Sequence, residues 1–242
     1  MTQQLHQRPP RAAGGAIGAL AAAEDLRDAL ARCPLLPVVV VGERTDGAAL
    51  GAALVAGGLT AAEVVLRTPA ALRVLAELAP TQGLLVGAGT VVDPEQVEQV
   101  AQAGAAFVVS PGHDPDVVSR AFALGVPAVP GVSTATEVQL ARRAGLRLLK
   151  VFPAGAVGGT GLLAGLAGPF PDVSFVPTGG IGEADLGGYL ALGSVAGVGG
   201  SWCVPAALVA QVTGGGEASA TAAAELAARV ATAVAACRAA RP

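Results

Sequence analysis

Short apolar runs alternate with longer Ala/Leu-rich segments along most of this chain, and that alternation constrains the fold more than any other feature. The short runs are rich in valine and predict buried strands, whereas the segments between them have helical composition. Strands that alternate with helices imply parallel strands joined by right-handed crossovers. Eight strands are predicted, at 35–41, 61–66, 84–88, 106–110, 126–130, 147–152, 173–178 and 195–199.

Nine helices are predicted around these strands, at 17–32, 46–56, 69–79, 94–103, 114–124, 134–144, 158–167, 183–192 and 218–239. Asp114 and Ser133 stand where N-caps are needed, and Gly145 stands where a helix should end. Eight strand–helix units can close into a (β/α)8 TIM barrel, which here carries an additional N-terminal helix. The alternative is an open, doubly wound α/β sheet.

Length and composition agree with one large core. The chain has 242 residues, close to the length of a single α/β barrel. Hydrophobic residues make up 52% of it and charged residues 14%, which suits strands that are buried on both faces. We expect residues 1–16 to form a flexible tail and residues 17–242 to form one barrel domain.

The charge pattern argues against nucleic-acid and membrane partners. The net charge of −3 provides no basic surface for phosphate backbones or anionic lipids, and aromatic residues for base stacking are few. The uncharged stretch 186–216 is interrupted by Gly and Pro, so it does not predict a membrane helix. A small-molecule substrate is therefore the expected partner.

Cysteine and histidine usage gives no sign of disulfides or metal. Cys33, Cys203 and Cys237 are scattered and odd in number, which favours a reducing cytoplasm and a packing role for each thiol. His6 and His113 are far apart in the chain, and no Cys/His/Asp cluster has ligand spacing. We expect no metal site and no cofactor.

Lys150 is the only lysine among the 15 Lys and Arg residues. It stands near the end of predicted strand six between Leu149 and Val151, where a charged side chain needs a specific role. Burial disfavours an ammonium ion and frees an amine to attack a carbonyl, which arginine cannot do because it stays protonated. The alternative is a lysine that reaches solvent from a strand end.

Other polar residues are expected at the same end of the barrel, where active sites of this fold lie. Glu63 and Arg67 share one side of strand two, either as functional groups or as a buried charged layer. Thr90 and Thr178 close strands three and seven. The glycine-rich segments at 177–181 and 199–201 follow strands seven and eight, where barrels often bind phosphate, although tight turns would also explain them.

The segments that carry these residues resemble the bacterial 2-keto-3-deoxy-6-phosphogluconate (KDPG) aldolase family, which includes 4-hydroxy-2-oxoglutarate aldolase activity. The resemblance covers roughly residues 34 to 205 and rests on the order and spacing of eight motifs. These motifs are LVAGGL at 54–59, EVVLRT at 63–68, VGAGTV at 86–91, VSPG at 109–112, VPGVST at 129–134, LKVFPA at 149–154, PTGGI at 177–181 and GGSW at 199–202.

The resemblance implies a class I aldolase that forms a Schiff base without metal or organic cofactor and assembles as a homotrimer. Lys150 would be the lysine that forms the Schiff base, and Glu63 would transfer protons as the general acid and base. Arg67 and Thr90 would bind the carboxylate of the pyruvate portion. The remaining substrate-binding residues that it implies are Pro111, Phe152 and Thr178, with phosphate contacts at Gly179, Gly180, Gly200 and Ser201. The expected products are pyruvate and an aldehyde, either glyceraldehyde 3-phosphate or glyoxylate.

Two positions depart from the family pattern. Gly155 follows FPA where the family usually has glutamate, and Gly42-Glu43-Arg44 ends strand one where many relatives have a basic residue. Two other functions stay open at this point. One is a phosphosugar isomerase or epimerase, which would need its own acid/base pair; the other is a non-catalytic sugar-phosphate-binding barrel.

Overall fold

The structure, a computed structural model, describes residues 15–241 and confirms the (β/α)8 barrel with an additional N-terminal helix. The strands are β1 (Leu35–Val39), β2 (Ala61–Val65), β3 (Leu85–Gly89), β4 (Val108–Val109), β5 (Ala128–Val129), β6 (Gly131–Val132), β7 (Leu148–Val151), β8 (Ser174–Pro177) and β9 (Val198–Gly200). Residues 1–14 of the predicted tail, with His6, lie outside the described residues.

Ten α-helices surround the strands in the described part of the chain. They are α1 (Gly15–Arg32), α2 (Gly47–Ala56), α3 (Ala71–Leu78), α4 (Pro94–Gln102), α5 (Pro115–Ala123), α6 (Ala135–Arg143), α7 (Gly159–Ala167), α8 (Leu186–Leu190), α9 (Ala206–Val209) and α10 (Gly216–Ala239). A 3₁₀ turn (Glu183–Asp185) precedes α8, so the helix predicted at 183–192 begins as a tighter turn. Helix α9 had no counterpart among the predicted elements.

All strand pairs are parallel, and together they close a ring. One sheet has the order β5-β4-β3-β2-β1-β9 and the other the order β6-β7-β8. The strand predicted at 126–130 appears as β5, and a further strand, β6, which was not predicted, follows after Pro130, because proline has no N–H to donate to a ladder. Single bridges from Phe175 to Val195 and from Thr178 to Gly199 join β8 to the β9 side and close the barrel.

Local sequence signals set the helix ends. Asp114 caps α5 as predicted, since its side chain accepts hydrogen bonds from the N–H groups of Asp116 and Val117. The prediction for Ser133 is wrong by one residue: Thr134 is the N-cap of α6 and forms a capping box with Glu137. Gly145 has φ +93°, the left-handed conformation that commonly ends a helix.

Helix α1 closes the N-terminal end of the barrel. Leu26, Ala29 and Leu30 form one buried cluster with Leu36, Ala61, Phe107, Val109, Val129, Leu148 and Val176 from the strands and from the residue before β4. The guanidinium group of Arg241, after α10, donates to the carbonyl oxygens of Leu30 and Ala196. The barrel interior is therefore filled by side chains at the N-terminal ends of its strands and opens at their carboxyl ends.

Helix α10 packs outside the barrel against α2, α8 and α9. Its length and composition would suffice to cross a membrane, and it is the one described helix for which that holds. Cys33, Cys203 and Cys237 are all buried and unpaired. Burial raises the pKa of the Cys203 and Cys237 thiols to about 12, which keeps them as uncharged packing groups.

The capping box of α6 makes part of the stability depend on pH. Burial raises the pKa of Glu137, but hydrogen bonds from Ser133 and Thr134 outweigh it and hold the pKa below its ordinary value. The carboxylate therefore stabilises the fold above the unfolded-state pKa of about 4.3, and this contribution is lost as the pH falls through the folded-state value. Glu137→Gln should lower the free energy of unfolding by about 1 kcal/mol at neutral pH.

Urea denaturation of both proteins at pH 7 and at pH 3 tests this, because the difference should shrink toward zero in acid. Glu98→Gln is a matched control, since Glu98 forms an exposed ion pair with Arg120 outside any capping box. An equal difference at both pH values would contradict the role assigned to the Glu137 carboxylate.

Candidate active site

Lys150 and Glu63 meet inside the barrel. Lys150 lies on β7 and Glu63 on β2, on opposite sides of the ring of strands. Lys150 Nζ donates a hydrogen bond to Glu63 Oε1 at 3.2 Å, and the two residues are only 7% and 1% exposed. The only lysine of the chain is thus buried and paired with a carboxylate, and the alternative of a lysine that reaches solvent is not observed.

Gly89 makes room for the Glu63 carboxylate. A Cβ atom at residue 89 would lie 3.1 Å from both Cδ and Oε2 of Glu63, and 2.9 Å from Val65 Cγ1. Oε2 is itself buried and has no hydrogen-bond partner among the described residues. One carboxylate oxygen therefore holds the amine, and the other is available to a reacting group.

A cavity of about 150 Å³ lies above Lys150. It is lined by Val38, Arg67, Lys150, Phe152, Thr178, Gly179, Gly180, Ile181, Gly200 and Ser201. The Phe152 ring centroid lies 5.3 Å from Lys150 Nζ, so an apolar face borders the amine. These residues lie at the carboxyl ends of β1, β2, β7, β8 and β9, where barrels of this kind place their active sites.

Arg67 and Thr90 form one wall of the site. Arg67 Nε donates to Thr90 Oγ1 at 3.2 Å. Thr90 has φ +59°, and it is the only described residue other than glycine with positive φ. A β-branched residue in this conformation is strained, and such strain is concentrated at functional sites. The exposed guanidinium of Arg67 is therefore held by a residue in an unfavourable backbone conformation.

Two glycine loops form the opposite wall. Gly179 and Gly180 have φ +93° and +72°, and their N–H groups make no hydrogen bond within residues 15–241. Gly155 N donates to Gly179 O at 3.0 Å, so the residue that departs from the family pattern holds this loop. A Cβ atom at residue 199 would lie 2.1 Å from Thr178 Oγ1, so only glycine fits beside that threonine.

The structure brings most of the predicted site residues together. Glu63 and Thr90 do not line the cavity but contact Lys150 and Arg67, which do. Pro111 instead lines a separate cavity of about 220 Å³, whose lining also includes Val91 and Asp114. Sequence reasoning missed the apolar lining residues Val38 and Ile181, because an inward-facing apolar residue looks the same in sequence whether it fills the core or borders a cavity.

The cavity suits a short carbonyl compound with an anionic group at each end. An amine lies at its base with a buried carboxylate behind it, a guanidinium lies on one wall, and backbone N–H groups without partners among residues 15–241 lie on the other. Backbone N–H groups in such turns bind phosphate oxygens well. Within residues 15–241, no three His, Cys, Asp or Glu side chains are grouped so that they could hold a metal ion.

Comparison with known proteins gives a consistent result. The family model "KDPG and KHG aldolase" matches residues 26–213, where KHG denotes 2-keto-4-hydroxyglutarate. The 2-dehydro-3-deoxy-phosphogluconate aldolase of Treponema pallidum is 43% identical over 184 residues, which cover 76% of this chain and 88% of that protein. The KHG/KDPG aldolase of Escherichia coli is 45% identical over 176 residues, which cover 72% and 82%.

A solved structure agrees with the sequence comparisons. It is that of KDPG aldolase from Legionella pneumophila, with pyruvate captured at low pH as a covalent carbinolamine intermediate. The alignment covers 86% of this chain and 97% of that one, with 36% identity and a TM-score of 0.77. The two chains therefore share fold and sequence over nearly the whole of the Legionella protein.

The backbone strain at Thr90 should be measurable as a difference in the free energy of unfolding between two variants of this residue. Thr90→Gly removes the steric penalty of positive φ and should raise the free energy of unfolding by about 1 kcal/mol, relative to Thr90→Ala. Both variants lose the hydroxyl that Arg67 contacts, so their difference isolates the backbone. Urea denaturation of the two variants measures it, and equal stability would show that residue 90 carries no strain.

Proposed function

The chain belongs to the KDPG and KHG aldolase family and is a carbon–carbon lyase, and from this premise we propose that Lys150 forms a Schiff base with the substrate while Glu63 moves the protons. The observation that carries the proposal is the buried 3.2 Å contact between the only lysine and a carboxylate at the base of the cavity. A proton passed from the ammonium to Glu63 leaves an uncharged amine, which is the form that attacks a carbonyl.

The substrate is a 2-keto acid with a hydroxyl group at C4, either KDPG or 4-hydroxy-2-oxoglutarate. Arg67, supported by Thr90, pairs with the C1 carboxylate, because a guanidinium group matches the geometry of a carboxylate. This places the C2 carbonyl at Lys150. Phe152 and Thr178 border the reacting carbons. The proposal gives Pro111 no contact with the substrate in this cavity, because Pro111 lines the separate cavity of about 220 Å³.

Cleavage follows from these placements. Lys150 Nζ attacks C2, and the carbinolamine hydroxyl then takes the proton that Glu63 had received and leaves as water. This step gives a protonated imine and returns Glu63 to its carboxylate form. Glu63 takes the proton of the C4 hydroxyl, the C3–C4 bond breaks, and its electron pair moves into the imine to give an enamine. The C4 fragment leaves as an aldehyde. Return of a proton to C3 and hydrolysis of the imine then release pyruvate and restore Lys150.

The distal phosphate of KDPG is bound by backbone N–H groups in this proposal. Gly179 and Gly180 offer N–H groups without partners among the described residues, and Gly200 with Ser201 completes the wall. Cleavage of KDPG gives glyceraldehyde 3-phosphate, and cleavage of 4-hydroxy-2-oxoglutarate gives glyoxylate. The family membership and the single Lys150–Glu63 pair do not favour an isomerase, an epimerase or a non-catalytic barrel.

The assembly and compartment complete the proposal. We infer a homotrimer in the cytoplasm, supported by the exposed apolar side chains Val92 and Leu140, which are 44% and 47% accessible and would be shielded by another subunit. The three unpaired thiols fit a reducing compartment.

Borohydride should fix pyruvate onto Lys150. Because the chain has no second lysine, peptide mass spectrometry should find the reduced adduct on the peptide that contains residue 150 and not on the α-amino group. Lys150→Arg keeps the positive charge beside Glu63 but removes the nucleophile, so cleavage should fall by on the order of a thousandfold or more. A variant that still cleaved substrate near the parent rate would remove Lys150 from the mechanism.

Ser201→Ala should weaken the binding of the phosphorylated substrate by about 1 kcal/mol, the usual contribution of one hydrogen bond. The measurement is the KM for KDPG compared with that for 4-hydroxy-2-oxoglutarate in the same variant. Thr213→Ala serves as a control, since Thr213 lies before α10 and away from the cavity. Equal weakening of both substrates would contradict the assignment of Ser201 to phosphate.

The trimer is tested by light scattering across a range of protein concentrations. We expect a mass close to three times 23.4 kDa. A monomer at every concentration would exclude the assembly, while leaving the residue assignments intact.

A further inference from the structure

Trp202 is in direct contact with the loop that carries Gly200 and Ser201. A Cβ atom at residue 200 would lie 1.9 Å from Cζ3 and 2.2 Å from Cε3 of the indole ring. The ring edge therefore rests against the backbone of Gly200, and no larger residue fits there. Trp202 is also partly buried and packs against the main hydrophobic core, which limits the movement of the ring.

The indole lies outside the Lys150 cavity. Gly200 and Ser201 line that cavity, whereas Trp202 borders a second one of about 270 Å³, together with Glu183, Cys203, Arg229, Thr232 and Ala233. The backbone at Gly200 thus separates the indole from the place assigned to the substrate. Trp202 Nε1 is buried without a hydrogen-bond partner among the described residues, so shape rather than hydrogen bonding decides where the ring sits.

A glycine loop needs such a support to bind phosphate well. Consecutive glycines restrict their own backbone very little, and hydrogen bonds weaken steeply when their angle departs from linear. In this loop Thr178 contacts Gly199 and Trp202 contacts Gly200. The parallel pairing of β9 with β1 holds the strand as far as Gly200, which pairs with Pro37, and the contacts of Thr178 and Trp202 add to that pairing where β9 meets the cavity.

We propose that Trp202 is a positioning residue that fixes the Gly200–Ser201 loop and thereby sets the preference for phosphorylated over unphosphorylated substrate. The inference rests on the proposed function of this loop as part of the phosphate site. It assigns Trp202 no contact with the substrate. Its effect should therefore appear in the ratio of two substrates rather than in the chemical step.

Trp202→Leu should lower kcat/KM for KDPG roughly tenfold, mainly through KM, while changing that for 4-hydroxy-2-oxoglutarate by less than about twofold. Trp202→Phe keeps an aromatic ring on the shorter side chain and should give an intermediate ratio. It also keeps the test informative if the leucine variant folds poorly. Phe170→Leu is the control, because Phe170 is a buried aromatic residue of the same core that does not line the cavity.

The ring also provides a direct signal, since Trp202 is the only tryptophan in the chain. Titration of the wild-type protein with inorganic phosphate should change its fluorescence in a saturable way. Ser201→Ala should shift the midpoint to higher phosphate concentration. A fluorescence that stayed constant up to saturating phosphate would count against contact between the indole and an occupied phosphate loop.

The outcomes separate the two proposals. Suppose that the wild-type protein releases pyruvate from both substrates. If Trp202→Leu then lowers kcat/KM for both equally, or if Phe170→Leu changes the ratio of the two kcat/KM values as much, the inference about Trp202 is wrong and the aldolase proposal stands. If the wild-type protein forms no borohydride-trapped imine and releases no pyruvate, both fail. A selective loss in Trp202→Leu, with imine trapping intact, supports both.

Discussion

The contact between Lys150 and Glu63 across the barrel is the constraint on which the rest of the site depends. Each side chain comes from an opposite wall, and each would be costly to bury alone. Removing one partner from such a buried pair costs about 3–5 kcal/mol, because the other is left without compensation. The pair is therefore a structural unit and, in the proposed mechanism, also the reactive centre, so Lys150→Arg separates the two roles better than a neutral substitution does.

Glycine gives this site its shape by leaving room at three positions. Gly89 accommodates the Glu63 carboxylate, Gly199 accommodates Thr178, and Gly200 accommodates the Trp202 ring. In each case a Cβ atom would lie within about 3 Å of a functional or supporting group. The glycines near the ends of β3 and β9 thus shape the site because they have no Cβ atom, whereas Gly179 and Gly180 shape it through their left-handed backbone conformation.

The two ends of the barrel have different tasks. Helix α1 fills the N-terminal end with Leu26 and Leu30, so the interior is closed to water from below. The carboxyl ends of the strands carry the polar groups and the strained Thr90. This division lets the core stabilise a site whose own residues include a buried amine, a carboxylate oxygen without a hydrogen-bond partner in the described part of the chain, and an unfavourable backbone conformation.

Local features were enough to predict the eight strand–helix units, the helix end at Gly145 and a buried Lys150, because these follow from periodicity, from the left-handed freedom of glycine and from a residue type that occurs once. Sequence reasoning misplaced the α6 cap by one residue, since Ser133 and Thr134 offer the same chemistry and only the backbone path selects one. It also ended the fifth strand at residue 130 and missed β6. Three features are visible only in the folded chain: Glu63 reaches Lys150, Pro111 lies outside the cavity, and the Trp202 ring contacts Gly200. The first two depend on distances between residues far apart in the chain, which barrel closure sets, and the third depends on the path of the backbone after β9 and on the core that packs against the ring.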